Sequence, residues 1–294
     1  MIYAIRQTTD YTYGELVPAS RHIIRMMPPH DEGQEVIAAS LTVSPNPSER
    51  RETQDFFGNH ITQIAIDTPH DALRVTLDAR VRVNDVSTRT IDRAQSWDGI
   101  AVLASAMHDA GPRAPAHCLF PSRLVAIDPA MTAYAAESFP RGRPLFEAVS
   151  ELNRRIRDDF LYDPLATSVD TDPAHAFALR RGVCQDFAHI MIAGLRGLGL
   201  PAGYVSGFLR TVPPPGQDRL EGADATHAWV TVWCGASGWI GFDPTNGIPA
   251  GTDHVRMAEG RDYADVAPLD GIIWSGAGHS LVVAVDVVPA MDGQ

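Results

Sequence analysis

Three residues of this chain have the types and surroundings that chemistry requires: Cys184, His227 and Asp243. Cys184 stands in Gly182-Val183-Cys184-Gln185-Asp186-Phe187-Ala188-His189. It heads a run in which Phe187, Ile190, Met191, Leu195 and Leu198 keep helical spacing, with Gly197 and Gly199 ending the run before Pro201. A thiol attacks a carbonyl as the thiolate, and the aligned peptide dipoles at a helix amino terminus stabilise that anion. His227 heads the strand-like run His227 to Trp233, and Asp243 ends the next one, Trp239 to Phe242. A short turn around Gly235 to Gly238 makes these runs a hairpin and brings imidazole and carboxylate to one end of a sheet. A thiol, an imidazole to move the proton and a carboxylate to fix the imidazole tautomer are what nucleophilic acyl transfer needs. The other two cysteines, Cys118 and Cys234, read as small core residues, and no C-x-x-C spacing is present. The trio also contains metal-ligand types, but no close pair such as C-x-x-C or H-x-x-x-H accompanies it, so neither a metal nor another cofactor is expected.

The elements that must position these residues follow from periodicity. Up to about Asn84, short β-branched and aromatic runs alternate with Pro, Gly and Asp breaks: Ile2 to Ile5, Arg21 to Met27, Val36 to Val43, Ile61 to Ile66, Leu73 to Val83. This pattern predicts antiparallel strands in a sandwich-like β domain. Short helical patches come next, Ile100 to His108 and Pro129 to Ser138, the second opened by Asp128 as cap. Leu145, Val149, Leu152, Ile156 and Phe160 then mark an amphipathic helix. After the Cys184 helix come strand-like runs at Gly203 to Leu209, His227 to Trp233 and Trp239 to Phe242, and a last one at Ser280 to Val288. Helices followed by strands predict an α+β domain, and the expected division is residues 1–90, an N-terminal β-rich domain, and 91–294, the catalytic domain with a C-terminal strand.

Composition narrows the partners. The chain has 294 residues, 45% hydrophobic and 20% charged, which places it among globular proteins of about two domains. A net charge of −12 repels phosphate backbones and anionic lipid, so neither nucleic acid nor a membrane surface is an expected partner. The amino terminus lacks a basic flank followed by an apolar run, and a cytoplasmic protein is the expectation. All 24 basic residues are arginine. The oligomeric state is left open, a homo-oligomer included.

The motifs around Cys184, the stretch Asp224-Ala225-Thr226-His227-Ala228-Trp229-Val230 and the stretch Gly238-Trp239-Ile240-Gly241-Phe242-Asp243-Pro244-Thr245-Asn246-Gly247 resemble the bacterial transglutaminase-like family of predicted cysteine proteases. So do Asp55-Phe56-Phe57-Gly58-Asn59 in the β-rich leader and Ala258 to Pro268 near the end. The resemblance implies a papain/transglutaminase-like core, a nucleophile helix packed on an antiparallel sheet, behind the leader domain. It also implies Cys184 as nucleophile, His227 as base and Asp243 as orienting acid. Animal-type transglutaminases resemble Gly-Gln-Cys-Trp at the nucleophile, whereas this chain places Gln185 after Cys184, so an aromatic wall against water is not implied. Hydrolysis of a peptide, isopeptide or other amide is the expected reaction. Transamidation and a catalytically silent binding module are the alternatives. The Cys184 backbone N–H is a natural oxyanion donor, with Tyr162 and Gln185 as candidates for the second. Trp229, two residues beyond His227 and on the same strand face, is a candidate cleft wall. Leu209 to Thr226, with its prolines and acids, is expected to form a flap at the cleft rim.

Overall fold

The computed structural model describes residues 1–85, 92–210, 226–276 and 278–290. The leader contributes β1 (Ile2–Val17), β2 (Ser20–Ile24), β3 (Gln34–Ser44), β4 (Glu49–Gln54), β5 (His60–Ile66) and β6 (His70–Val83). Then come α1 (Trp97–Ala106), α2 (Pro129–Ala136), α3 (Leu145–Asp159), β7 (Leu161–Tyr162), α4 (Pro173–Leu179), β8 (Arg181–Gly182) and α5 (Cys184–Gly197). The chain finishes with β9 (Ala202–Leu209), β10 (Thr226–Trp233), β11 (Trp239–Asp243), β12 (Ile248–Pro249), β13 (His254–Gly260), α6 (Tyr263–Val266), β14 (Leu269–Ile273) and β15 (His279–Ala290). No helix among the described residues is long and apolar enough to cross a membrane.

The fold is α+β, with a transglutaminase-like core behind a β-rich region. Two four-stranded sheets, ordered β15-β1-β6-β3 and β14-β2-β5-β4, form the sandwich. Its logic is the two-residue period: along β6 Leu73, Val75, Leu77, Ala79, Val81 and Val83 turn inward while Arg74 and Asp78 do not. Each fully buried Leu or Val of this kind contributes about 1.5–3 kcal/mol. Charge-rich β4, Glu-Arg-Arg-Glu-Thr-Gln, is an edge strand whose side chains are largely exposed, so it carries no apolar alternation to read. β1 runs to Val17, well past the expected Ile5, because antiparallel pairing with β6 and β15 holds its polar stretch extended.

Strands β14 and β15 pair with β2 and β1, so the end of the chain completes the leader's sheets. The expected 91–294 unit therefore loses its last strands to the sandwich. Pairing partners more than two hundred residues apart leave no local trace of this in the sequence.

The core sheet, β12-β11-β10-β9-β13, is antiparallel. Ala228, Val230 and Val232 of β10 pack with α5, α2 and α3 in one apolar cluster. Phe208 of β9 and Val255 and Met257 of β13 instead join the sandwich core. Helix α5 is buried nearly throughout, from Asp186 to Arg196. Gly197 is its last residue, and the turn beyond closes at Gly199 (φ +77°), where the Leu200 N–H reaches back to the Leu195 carbonyl at 3.0 Å. Close packing also needs glycine here: a β-carbon at Gly194 would sit 2.8 Å from Ala135 Cβ, and one at Gly197 would collide with Thr132, both on α2. The leader also grips the outer edge of β13. The Gln34 side-chain amide donates to the Arg256 carbonyl and accepts from its N–H, both at 2.9 Å. Asn59 does the same at Glu259, at 2.7 and 2.8 Å.

Candidate active site

Cys184 is the first residue of α5 and is half-buried. Its N–H is one of the donors that a helix start leaves without an intrahelical acceptor. The turn before it is fixed by Asp186, whose Oδ2 accepts from the Val183 N–H at 2.8 Å and from the Thr167 hydroxyl at 2.6 Å. Gly182 is required at its place because a β-carbon there would lie 2.5 Å from that carboxylate oxygen. Asp186 thus serves the helix terminus, the role its position in the first turn suggests.

The hairpin forms as expected, with β10 and β11 in register from Val230 opposite Phe242 to Trp233 opposite Trp239. It places His227 Nε2 2.8 Å from Asp243 Oδ2. His227 also lies close enough to Cys184 for the two side chains to interact. Burial alone would lower the His227 pKa, but Asp243 and Cys184 outweigh it and raise it to about 9. Asp243 is fully buried. Its Oδ1 accepts from the Thr245 and Asn246 N–H groups at 3.0 and 3.2 Å, a self-capped turn that suits Asp. Its Oδ2 also accepts from Asn246 Nδ2 at 2.7 Å and faces His254 Nε2 at 3.1 Å. Burial would raise the carboxyl pKa, yet the donors from His227, His254 and Asn246 hold it well below the usual carboxylate range.

His254 and Asn246 were not singled out by the sequence reading. Neither belongs to a spaced motif, and His254 reaches Asp243 only because β13 pairs with β9 rather than with the hairpin. Tyr204 of β9 is a further unforeseen neighbour: buried and close enough to interact with Cys184, it has its pKa pushed far up, first by burial and then by Cys184. It therefore stays a neutral hydroxyl, one that an apolar strand run does not advertise.

His227, Asp243 and His254 each offer a ligand atom, all within 4.8 Å of one another, a spacing a metal ion could use. The hydrogen bonds do not fit that use. The Gly251 N–H donates to His254 Nδ1 at 3.1 Å, so Nδ1 carries the lone pair and Nε2 the proton. A metal at Nε2 would need the opposite arrangement.

The remaining candidates are placed as follows. Tyr162 is exposed on β7, paired with Gly182 of β8, and Cys184 contributes to raising its pKa after burial does. Gln185 donates from Nε2 to the Val169 carbonyl at 2.9 Å, so its amide is tied to the loop before α4. Trp229 is buried, stacked behind His227 with ring centroids 6.2 Å apart and edge-on to His254 at 5.2 Å. It backs the imidazoles and also lines a pocket with His254, Trp239 and Arg256. Cys118 and Cys234 are buried, with pKa values raised by burial to about 11 and about 12. Residues 211–225 of the expected flap lie outside the described residues.

Comparison with known proteins covers both parts of the chain. The family model of the bacterial transglutaminase-like N-terminal region matches residues 3–82, and that of the transglutaminase-like superfamily matches residues 132–244. An uncharacterised protein of Mycobacterium tuberculosis is 38% identical over 297 residues, covering 98% of this chain and 92% of its own. A protein-glutamine gamma-glutamyltransferase of Pseudomonas aeruginosa is 32% identical over 133 residues, 42% of this chain and 20% of that protein. The solved structure of a proposed cysteine protease from Cytophaga hutchinsonii shares the fold, with a TM-score of 0.76 at 23% identity over 99% of this chain and 92% of that one.

Proposed function

The chain belongs to the bacterial transglutaminase-like family, and from that premise we propose that it is a thiol-dependent acyl-transfer enzyme hydrolysing peptide, isopeptide or other amide bonds. The observation that carries this reading is Cys184 at the head of α5, beside a His227 that it interacts with and that Asp243 holds at 2.8 Å. With its pKa near 9, His227 is an imidazolium at neutral pH, the positive charge a thiolate needs beside it. The Cys184 thiolate adds to the amide carbon, and the Cys184 N–H faces the oxyanion that forms. His227 gives its proton to the leaving nitrogen as the C–N bond breaks, leaving a thioester and a neutral imidazole. That imidazole takes a proton from water, whose oxygen attacks the thioester. Collapse releases the acid and restores the thiolate–imidazolium pair. No step calls for a cofactor.

Water is the proposed acceptor because Gln185, tied to the Val169 carbonyl, stands where a shielding aromatic would. A second reading, transfer to an amine, is favoured by the local likeness to the glutamyltransferase of Pseudomonas aeruginosa. Incubation with glutamine-containing and isopeptide peptides plus millimolar primary amine, read by mass spectrometry, separates the two. Acid product lost in Cys184→Ala supports hydrolysis. Predominant amine adduct replaces it with transamidation.

A further inference from the structure

We propose that His254 is a positioning residue of this site: as a neutral imidazole with the proton on Nε2, it holds the Asp243 carboxylate turned toward His227. The inference rests on the triad reading of Cys184, His227 and Asp243 and extends it to a fourth side chain that acts only through Asp243.

Three observations carry it. First, the tautomer is fixed by the backbone. The Gly251 N–H occupies Nδ1 at 3.1 Å, and a proton on Nδ1 would set two donors against each other, so the single proton belongs on Nε2, aimed at Asp243 Oδ2 3.1 Å away. Second, the two histidines converge on the same oxygen. His227 approaches Oδ2 at 2.8 Å and His254 at 3.1 Å, with Asn246 Nδ2 at 2.7 Å. Oδ1 is committed to the Thr245 and Asn246 backbone, so turning the carboxylate away from His227 would break bonds at both oxygens. A fully buried carboxylate deprived of one donor is left with an unsatisfied lone pair and is held less firmly. Third, His254 is itself immobilised: it is buried, its ring packs edge-on against Trp229, and β13 is held by the leader through Gln34 and Asn59. Its neighbour Asp253 is bound by the Tyr3 hydroxyl at 2.7 Å and by Arg210 Nε at 2.9 Å. The β-rich leader thereby reaches the site through β13.

The titratable and charged groups around the Asp243 and His254 pair are His227 on β10, Cys184 on α5, and Asp253 with its partners Arg210 and Tyr3. Of these, His227 is the group whose protonation Asp243 controls directly.

The test follows the His227 Nε2–H proton by NMR and the alkylation of Cys184 by iodoacetamide between pH 5 and 10, in the full chain. In wild type, the far-downfield proton of the His227–Asp243 bond is present and alkylation is fast. If wild-type alkylation is itself slow, the triad reading fails, and the proposal with it. His254→Phe keeps a ring of similar size but no donor. It should lose or shift the downfield proton, slow neutral-pH alkylation about tenfold, and move the alkaline limb from about 9 toward an ordinary histidine. His254→Gln, which restores an N–H donor near the same place, should recover most of both. A fast wild type with an unchanged limb in His254→Phe, or a defect seen only in thermal stability and not rescued by Gln in the pH profile, overturns the positioning role. Should His254→Phe fail to fold, the wild-type ¹⁵N imidazole spectrum decides. A proton on Nε2 and a bare Nδ1 support the assignment, and the reverse tautomer contradicts it.

Discussion

Helix α5 buries a charged cluster at each end, and the two are put to different use. At the carboxyl end Arg196 is 2% exposed. Its guanidinium donates to the carbonyls of Cys118, Phe120, Ala202 and Arg261 and to the Ser122 hydroxyl, at 2.6 to 3.1 Å. All three of its nitrogens are engaged, and the charge is spent on joining α5 to the 118–122 segment, β9 and the α6 turn. At the amino end Asp243 is equally saturated, but the saturation stops one residue short. His227 is held by Asp243 through Nε2 and faces Cys184, which remains half-buried and also lies near the Tyr204 hydroxyl. The difference teaches how one helix can close a buried charge on itself at one end while leaving a thiol and an imidazole available at the other for the chemistry proposed above.

That contrast can be broken from either end, beginning with the largest expected effect. Cys184→Ala should abolish turnover of any identified amide while leaving the thermal midpoint unchanged, because a half-buried thiol supports little packing; full activity would remove Cys184 as nucleophile. Asp243→Asn keeps the shape but loses the charge and the correct tautomer, and should slow turnover by about 10² to 10⁴. An unchanged rate would take Asp243 out of the triad. Arg196→Met should do the reverse: a loss of about 3–5 kcal/mol in denaturant unfolding, since four carbonyls lose their donor, with Cys184 reactivity nearly unaltered in the folded protein. Equal damage to stability and reactivity would show that the two ends are not separable.

The pH dependence of stability sharpens the comparison further. His227 has its folded pKa raised from 6.5 to about 9, so its contribution is complete below 6.5 and disappears as pH climbs through 9. His22 and His189 have theirs lowered by burial to about 4, so they contribute above 6.5 and the benefit is lost as pH falls through 4. Thermal midpoints measured from pH 4 to 10 should therefore fall on both sides of near-neutral pH. His227→Ala should flatten the alkaline side only. The smallest effect is expected at the leader's grip on β13: Gln34→Ala removes two hydrogen bonds to Arg256 and one to the Pro29 carbonyl and should cost about 1–3 kcal/mol of stability, measured by urea unfolding.

Much of this arrangement was legible in the chain. Cys184 announces itself because Gly182, Asp186 and the helical spacing after it are local. His227 and Asp243 do so because a tight hairpin converts sixteen residues of sequence into one hydrogen bond. His254 was not legible, since its role depends on which strand β13 pairs with, and periodicity says nothing about pairing. The same physics hid β14 and β15, which close sheets begun at the opposite terminus, and β4, whose charged edge has no buried face to give an alternating pattern. Gly197 ends the helix as the sequence suggested, but its second role, and that of Gly194, in close approach to α2 was hidden, because a glycine needed for close packing has the same letter as one needed for a turn.

The central claim, that His227 activates Cys184, is tested most directly by the rate at which iodoacetamide labels each cysteine at pH 7 in wild type and in His227→Ala, followed by peptide mass mapping. Cys118 and Cys234, buried and with raised pKa values, serve as internal references. The account predicts rapid labelling of Cys184 in wild type, negligible labelling of the other two, and a drop of at least about tenfold at Cys184 when His227 is removed. Slow labelling of Cys184 in wild type, or the same rate without His227, would contradict it.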